Sequence, residues 1–398
     1  ICYRGLDNAR YYRHANGQYL NFTGCGNCLD TYNTTSIRLI CDSMRYWVET
    51  MGVDGFRFDL GVDMGRTHHD FSAQAPLLQA ILQDPILSNT CLVMEPWDIG
   101  PHGYQVGQFP RGFLECNDQY RDTIRRFWRG DKGVTPEFST RLMGSRDYFY
   151  KGQRSALHSV NYITYHDGYT LNDLVSYHHR HNLANMENNR DGHGDNISQN
   201  FGVEGETDDT EVNHQRLNQQ LCFIATLLLS QGTPHFLGGD ELSHSQQGNN
   251  NAYCQDNEIT WLSWQESEVR STLQDAISNL MTIRKAYPIL AEAYLEDDPL
   301  YQHLAADHIE WLNEYSQIMS DHEWTEGERD YLALTLTSAD ISNRLWLVFY
   351  RKDHPLRVPL PNNTSDLEVL YQTPSMIIKN NTLECGYRGV LLAKLIKR

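Results

Sequence analysis

Apolar positions recur at helical spacing along most of this chain and at every second position near its end. Ile37, Ile40, Met44, Trp47, Val48 and Met51 fall on one face of a 3.6-residue period, with cap candidates from Asn33 to Thr35 before them and Gly52 after. That spacing predicts a helix. The next run, 53–60, is short, apolar and turn-bounded, as a buried strand is. The alternation repeats, with helices expected over 76–82, 120–128, 212–230 and 269–284, and strands over 90–94, 113–116, 159–165 and 234–237. Leu217, Leu221, Ile224 and Leu228 line one face of the long helix. Residues 1–30 read as a structured loop, and 182–209, dominated by Asn, Asp, Gly and Glu, as a long functional one. Past Pro288 the texture becomes strand-like, over 331–336 and 344–350.

Strands alternating with helices imply an α/β fold with a parallel sheet covered by helices. Asp59, Glu95, Asp167 and Asp240 sit just past strand ends, where a (β/α) barrel carries its catalytic groups. The expected organisation is a partial (β/α) catalytic barrel over 1–291 and a C-terminal antiparallel β-sandwich domain over 292–398. Charge then narrows the function. Lys and Arg number 33 against 51 Asp and Glu, a formal net charge of −18. That surface repels nucleic-acid phosphates and anionic lipid, so neither nucleic acid nor membrane is an expected partner. No apolar run reaches the ~20 residues of a membrane span. Nine scattered cysteines suggest a reducing, cytoplasmic setting, and the single pair Cys25 and Cys28 lacks the second pair a zinc site usually needs.

The candidate chemistry is carboxylate chemistry. Arg57 and Asp59, at i and i+2 of a strand, point to the same side. A buried carboxylate beside a guanidinium stays ionised, as a carboxylate nucleophile must, although a structural ion pair has the same spacing. Glu95, followed by Pro96-Trp97-Asp98, suits a general acid whose pKa is raised by a second carboxylate and an aromatic wall; capping the next helix is the plainer alternative. His166 and Asp167 could hold sugar hydroxyls, bind a metal or satisfy each other. Trp97, Tyr169 and Trp261 are candidate stacking platforms or core. Carboxylates at the ends of separate strands that converged on one pocket would make a retaining glycosidase. Tyr177-His178-His179-Arg180-His181 is better read as a hydrogen-bonded loop than as a metal site. No Lys-Ser or Lys-Thr follows Gly192-His193-Gly194, no dinucleotide fingerprint follows a strand, and no Gly-x-Ser-x-Gly elbow is present. The sequence implies no cofactor and no metal.

In these stretches the chain resembles the α-amylase superfamily of glycoside hydrolases (glycoside hydrolase family 13), and within it the isoamylase-like bacterial glycogen debranching enzymes. Gly55-Phe56-Arg57-Phe58-Asp59 is similar to that family's nucleophile strand, Met94-Glu95-Pro96-Trp97-Asp98 to its acid/base segment, and Tyr165-His166-Asp167-Gly168 to its third-carboxylate segment. The narrower likeness lies in Arg4-Gly5-Leu6-Asp7-Asn8, Thr23-Gly24-Cys25-Gly26-Asn27, 192–196 and 246–257. The resemblance implies a TIM-type (β/α)8 barrel and a retaining hydrolase cutting α-1,6 branches of glycogen or limit dextrin. Asp59 would attack the anomeric carbon and Glu95 would serve as acid and then base. Asp167 and His166 would hold hydroxyls, and Arg57 would orient Asp59. The family's third-strand motif, an Asp followed later by Asn-His, has no match before Gly55, and the usual N-terminal β domain is missing. Cys28, Pro234-His235 and Gly238-Gly239 are smaller departures. The expectation is an incomplete barrel supplying about strands four to eight, a fragment inactive alone. A non-catalytic α-glucan-binding fragment and a transglycosylase of the same superfamily are the alternatives. The oligomeric state is left open.

Overall fold

The computed structural model describes residues 3–68, 70–150, 154–293, 307–325 and 329–397. The chain forms two compact units: Ile1–Asn117 with Arg146–Val160, and Asp118–Ser145 with Asn161–Arg398. The expected boundary near 291 falls beside residues 294–306, which lie outside the described residues.

In the first unit, helix α1 (Thr34–Glu49) leads into strand β1 (Gly55–Phe58), and helix α2 (Pro76–Gln83) into strand β2 (Cys91–Met94); strand β3 (Leu114–Asn117) follows. Asn33 caps α1 by accepting from the Thr35 N–H at 2.9 Å. Gly52, at φ +75°, takes the left-handed turn that ends it. Strands β1, β2 and β3 are parallel neighbours, with Gly55 opposite Cys91 and Phe58 opposite Met94. Gly55 is required there, since a Cβ would stand 2.2 Å from the Cys91 carbonyl oxygen. Met44 of α1, Leu77, Leu78 and Ile81 of α2, and Leu92 and Met94 of β2 form the core with Phe113. Each such side chain contributes roughly 1.5–3 kcal/mol when fully buried.

The second unit opens with helices α3 (Asp118–Arg129) and α4 (Thr135–Leu142). Strand β4 (Ser159–Tyr162) carries the chain into its remaining part, with helix α5 (Thr210–Leu229), strand β5 (Thr233–His235) and helix α6 (Glu268–Ala286). Antiparallel strands follow: β6 (His308–Leu312), β7 (Tyr331–Thr337), β8 (Arg344–Tyr350), β9 (Leu356–Pro359), β10 (Thr364–Gln372), β11 (Met376–Lys379), β12 (Thr382–Cys385) and β13 (Gly389–Lys397). They form two sheets, ordered β10-β13-β8-β7-β6 and β9-β12-β11. The two faces of β8 are both covered. Leu345, Leu347 and Phe349 join the core of α3, α5 and α6, whereas Trp346, Val348 and Tyr350 pack with Val358, Met376 and Leu383 of the smaller sheet. A strand buried on both faces has no polar alternation, as the run Leu345-Trp346-Leu347-Val348-Phe349 displays.

The expected helices and strands lie within a few residues of the observed ones. The exception is the start of the chain, where the expected loop contains a helix, Arg4–Tyr11, and a small hairpin of His14–Ala15 with Gln18–Tyr19. That helix is eight residues long, kinked at Asp7 and buries none of its side chains, so it leaves no apolar period to read. Among the described residues no helix is long and apolar enough to cross a membrane.

Candidate active site

Strand β1 and the turn after it build the first part of the site. Arg57 lies on β1, and its guanidinium reaches two carboxylates: Nη1 is 2.5 Å from Asp59 Oδ1 and Nη2 is 3.1 Å from Glu95 Oε2. One cation thus ties the residue after β1 to the residue after β2. The Asp59 side chain is 74% exposed. This corrects the expectation of a desolvated carboxylate, because the turn after β1 carries Asp59 out of the core while Phe58 stays in it.

Glu95 is the buried member, with a side chain 9% exposed. Burial pushes its carboxyl above the usual range, and the Asp59 carboxylate pushes the same way; the Leu60 N–H and the Arg57 guanidinium oppose them. Leu60 adds something the sequence did not signal. Its backbone is left-handed, at φ +44°, and its N–H donates to Glu95 Oε2 at 2.7 Å while the Gly61 N–H donates to the Glu95 carbonyl at 2.8 Å. A leucine at positive φ is strained by about 1–3 kcal/mol, and here the strained turn aims an N–H at the carboxylate. The segment after Glu95 is fixed by a fully buried pair in which Arg66 donates to both oxygens of Asp98, at 2.6 and 2.7 Å. Trp97 in that segment is half-buried and pairs through its backbone with Tyr104.

The other predicted residues lie in the second unit. His166 and Asp167 are exposed, on the turn that follows β4. Tyr169 is 0% exposed and packs among core side chains, so it has no face to offer a sugar ring. Trp261 is exposed and donates its indole N–H to Asp256 at 3.1 Å. In the His-rich loop Glu204 accepts from the His178 and His179 N–H groups and pairs with His181 Nε2 at 2.9 Å; these bonds hold its carboxyl down at about 2. A cleft of about 690 Å³ lined by Tyr177, Arg216, Asn172 and Ser245 contains none of the predicted site residues. Cys25 and Cys28 are both unbridged. Cys28 is buried, accepts from the Phe22 N–H, and has its thiol pushed up to about 12 by burial.

Parallel strands each followed by a carboxylate, with an antiparallel β region after them, define the fold class, and solved structures share it. The chain superposes on pullulanase from Anoxybacillus sp. LM18-11, solved with maltotetraose, at a TM-score of 0.71 and 21% identity, covering 99% of this chain and 51% of that one. The apo pullulanase from Paenibacillus barengoltzii gives 0.69 and 20%, covering 100% and 56%. At that identity the likeness is one of fold. No protein-family model matches the chain.

The sequence relatives are more particular. A glycogen debranching enzyme of Pectobacterium carotovorum is 45% identical over 353 residues, 88% of this chain and 51% of the relative. A glycogen operon protein GlgX homolog of Mycobacterium bovis is 40% identical over 378 residues, 91% and 52%. The chain is a homologue of the bacterial glycogen debranching enzymes over most of its own length, and it spans about half the length of the relatives it matches.

Proposed function

We propose that this chain carries the catalytic carboxylates of a retaining α-glucan hydrolase that cuts α-1,6 branch linkages in glycogen or limit dextrin. The observation that carries the reading is the shared guanidinium: Arg57 holds an exposed carboxylate, Asp59, and a buried one, Glu95, at once. Two carboxyl groups in unlike surroundings take unlike protonation states, which a nucleophile and a general acid require. Asp59 attacks the anomeric carbon while Glu95 gives its proton to the departing glycosidic oxygen, leaving a glycosyl ester on Asp59. Water then attacks the same carbon, Glu95 takes its proton, and the ester bond to Asp59 breaks. Two inversions leave the product in the α configuration. Asp167 and His166 hold sugar hydroxyls, and half-buried Trp97, two residues after Glu95, is a sugar contact; both assignments are supported by the resemblance of their segments. The branched α-glucan substrate is supported by relatives named for glycogen debranching.

The test is made on the protein that carries this sequence, as its host produces it, with branched dextrin as substrate. Asp59→Ala abolishes turnover, and the wild type releases product first in the α-anomeric form, read by proton NMR. Release of the β-anomer, or full turnover by Asp59→Ala, overturns the reading.

A further inference from the structure

The turn that presents His166 and Asp167 leaves the core and returns to it, and one buried side chain meets it at both crossings. Asp240, 2% exposed, follows the tight turn Gly238-Gly239 after β5. Its Oδ2 accepts from the Thr164 hydroxyl, and its Oδ1 accepts from the Leu171 N–H at 2.8 Å. Thr164, Thr170 and Leu171 are buried, while His166 and Asp167 between them are exposed. At the crest, Gly168 has φ +122°, a conformation that favours glycine, and its N–H donates to the Asn250 carbonyl at 2.9 Å. Asn250 is itself held. It exchanges hydrogen bonds with Asn182 in both directions, at 2.8 and 3.0 Å, and donates to Asn196 and to the His193 carbonyl. Below the turn, buried Arg125 donates to the Ile163 carbonyl at 2.6 and 2.9 Å and to the Asn196 carbonyl at 3.0 Å.

We infer that Asp240 is a positioning residue that brackets this turn and, with Asn250 at its crest, sets where the Asp167 carboxylate and the His166 ring stand. The inference rests on the proposed role of Asp167. A fully buried carboxylate is costly unless its lone pairs are satisfied, and both bonds that satisfy this one go to the same turn. A fixed neck separation is what such an arrangement secures. A functional turn held to within about half an ångström needs supports of this kind. Asp240 touches no sugar in this account; it acts through the backbone that it holds.

Four variants of the protein as its host makes it test the inference: Asp240→Asn, Asp240→Ala, Thr164→Val and Asp167→Ala. The asparagine keeps both contacts, accepting from Leu171 and donating to the Thr164 hydroxyl, so kcat on branched dextrin stays within about threefold of the wild type. Thr164→Val removes one neck of the bracket at constant volume and lowers kcat about tenfold; Asp240→Ala removes both and lowers it about a hundredfold. In both, amides over 165–171 exchange hydrogen faster while those of α5 do not change. Turnover is expressed per folded molecule. Thr164→Val with unchanged kcat and unchanged exchange overturns the bracket, as does Asp240→Ala that only lowers yield and melting temperature. Asp167→Ala separates the two readings. If it is fully active, the role of Asp167 is wrong, and the exchange data still judge the bracket. If it is inactive while the bracket variants turn over normally, the bracket alone fails.

Discussion

At the scale of single residues, the chemistry turns on the contrast between Asp59 and Glu95. In the proposed function Glu95 must hold its proton to act as acid; kcat/KM is then expected to fall as pH rises through its raised pKa, with this residue setting the basic limb of the profile. Arg57 is one of the two groups that hold that pKa down. Arg57→Leu therefore moves the basic limb to higher pH, besides slowing turnover; a profile that stays in place or moves down contradicts the assignment. The buried Arg66–Asp98 pair, which fixes the segment after Glu95, carries a stability prediction. Asp98→Ala strands a buried guanidinium and costs about 3–5 kcal/mol in a urea titration. What the sequence revealed here was residue type and spacing: Arg57 and Asp59 at i and i+2, Glu95 past an apolar strand. Exposure was not legible, because it depends on how the turn after β1 runs. Asp59 therefore stands in solvent instead of in a desolvated pocket, and Tyr169, an aromatic beside a candidate carboxylate, faces the core. The left-handed Leu60 had no sequence signal at all, since leucine is seldom found there.

Elements were easier to read than contacts. Periodicity located α6, which buries Leu273, Leu280 and Ile283, and α1, which buries Met44 although Trp47 of the expected face is exposed; α5 is buried all round from 218 to 229, so its length and apolar content marked it more than its face. Strands β1 and β2 were legible because short apolar runs between turn residues have few other uses. The Asn-rich loop was recognised only as polar. Its physical content, amide pairs such as Asn182 with Asn250, joins residues 68 positions apart, and no local pattern encodes such a pairing. Helix α3 yields a direct test. Trp128 is fully buried and donates to the Thr226 hydroxyl at 3.0 Å, so Trp128→Ala loses about 3–5 kcal/mol, read from the shift in the urea midpoint. At the other end of the same packing, Asp209 caps α5 by accepting from the Glu211 and Val212 N–H groups. Asp209→Ala costs about 1 kcal/mol, and a change below a few tenths would remove the cap from the account.

At the scale of the whole molecule, buried carboxylates make stability depend on pH. Burial raises Asp240 to about 7 and Asp173 to about 6, from an ordinary 3.8. The folded chain then binds more protons than the unfolded chain between roughly pH 4 and 7, so stability falls as pH rises through that window. Asp240→Asn removes one of these titrations, and its melting temperature declines less steeply between pH 4 and 7 than the wild type's; an unchanged slope would contradict the burial account. The net charge of −18 suits a neutral polyhydroxyl substrate better than an anionic one. The kinship with relatives about twice as long, together with the fold shared with pullulanases, agrees with the family resemblance that the sequence carries. The most direct measurement uses a 5-fluoro maltosyl fluoride, whose fluoride leaves without an acid and whose glycosyl ester hydrolyses slowly. Incubated with the protein as its host makes it and digested for mass spectrometry, it should leave one maltosyl adduct, on Asp59, absent from Asp59→Ala. An adduct on another carboxylate, or turnover of branched dextrin with Asp59 unlabelled, would contradict the claim that Asp59 is the nucleophile.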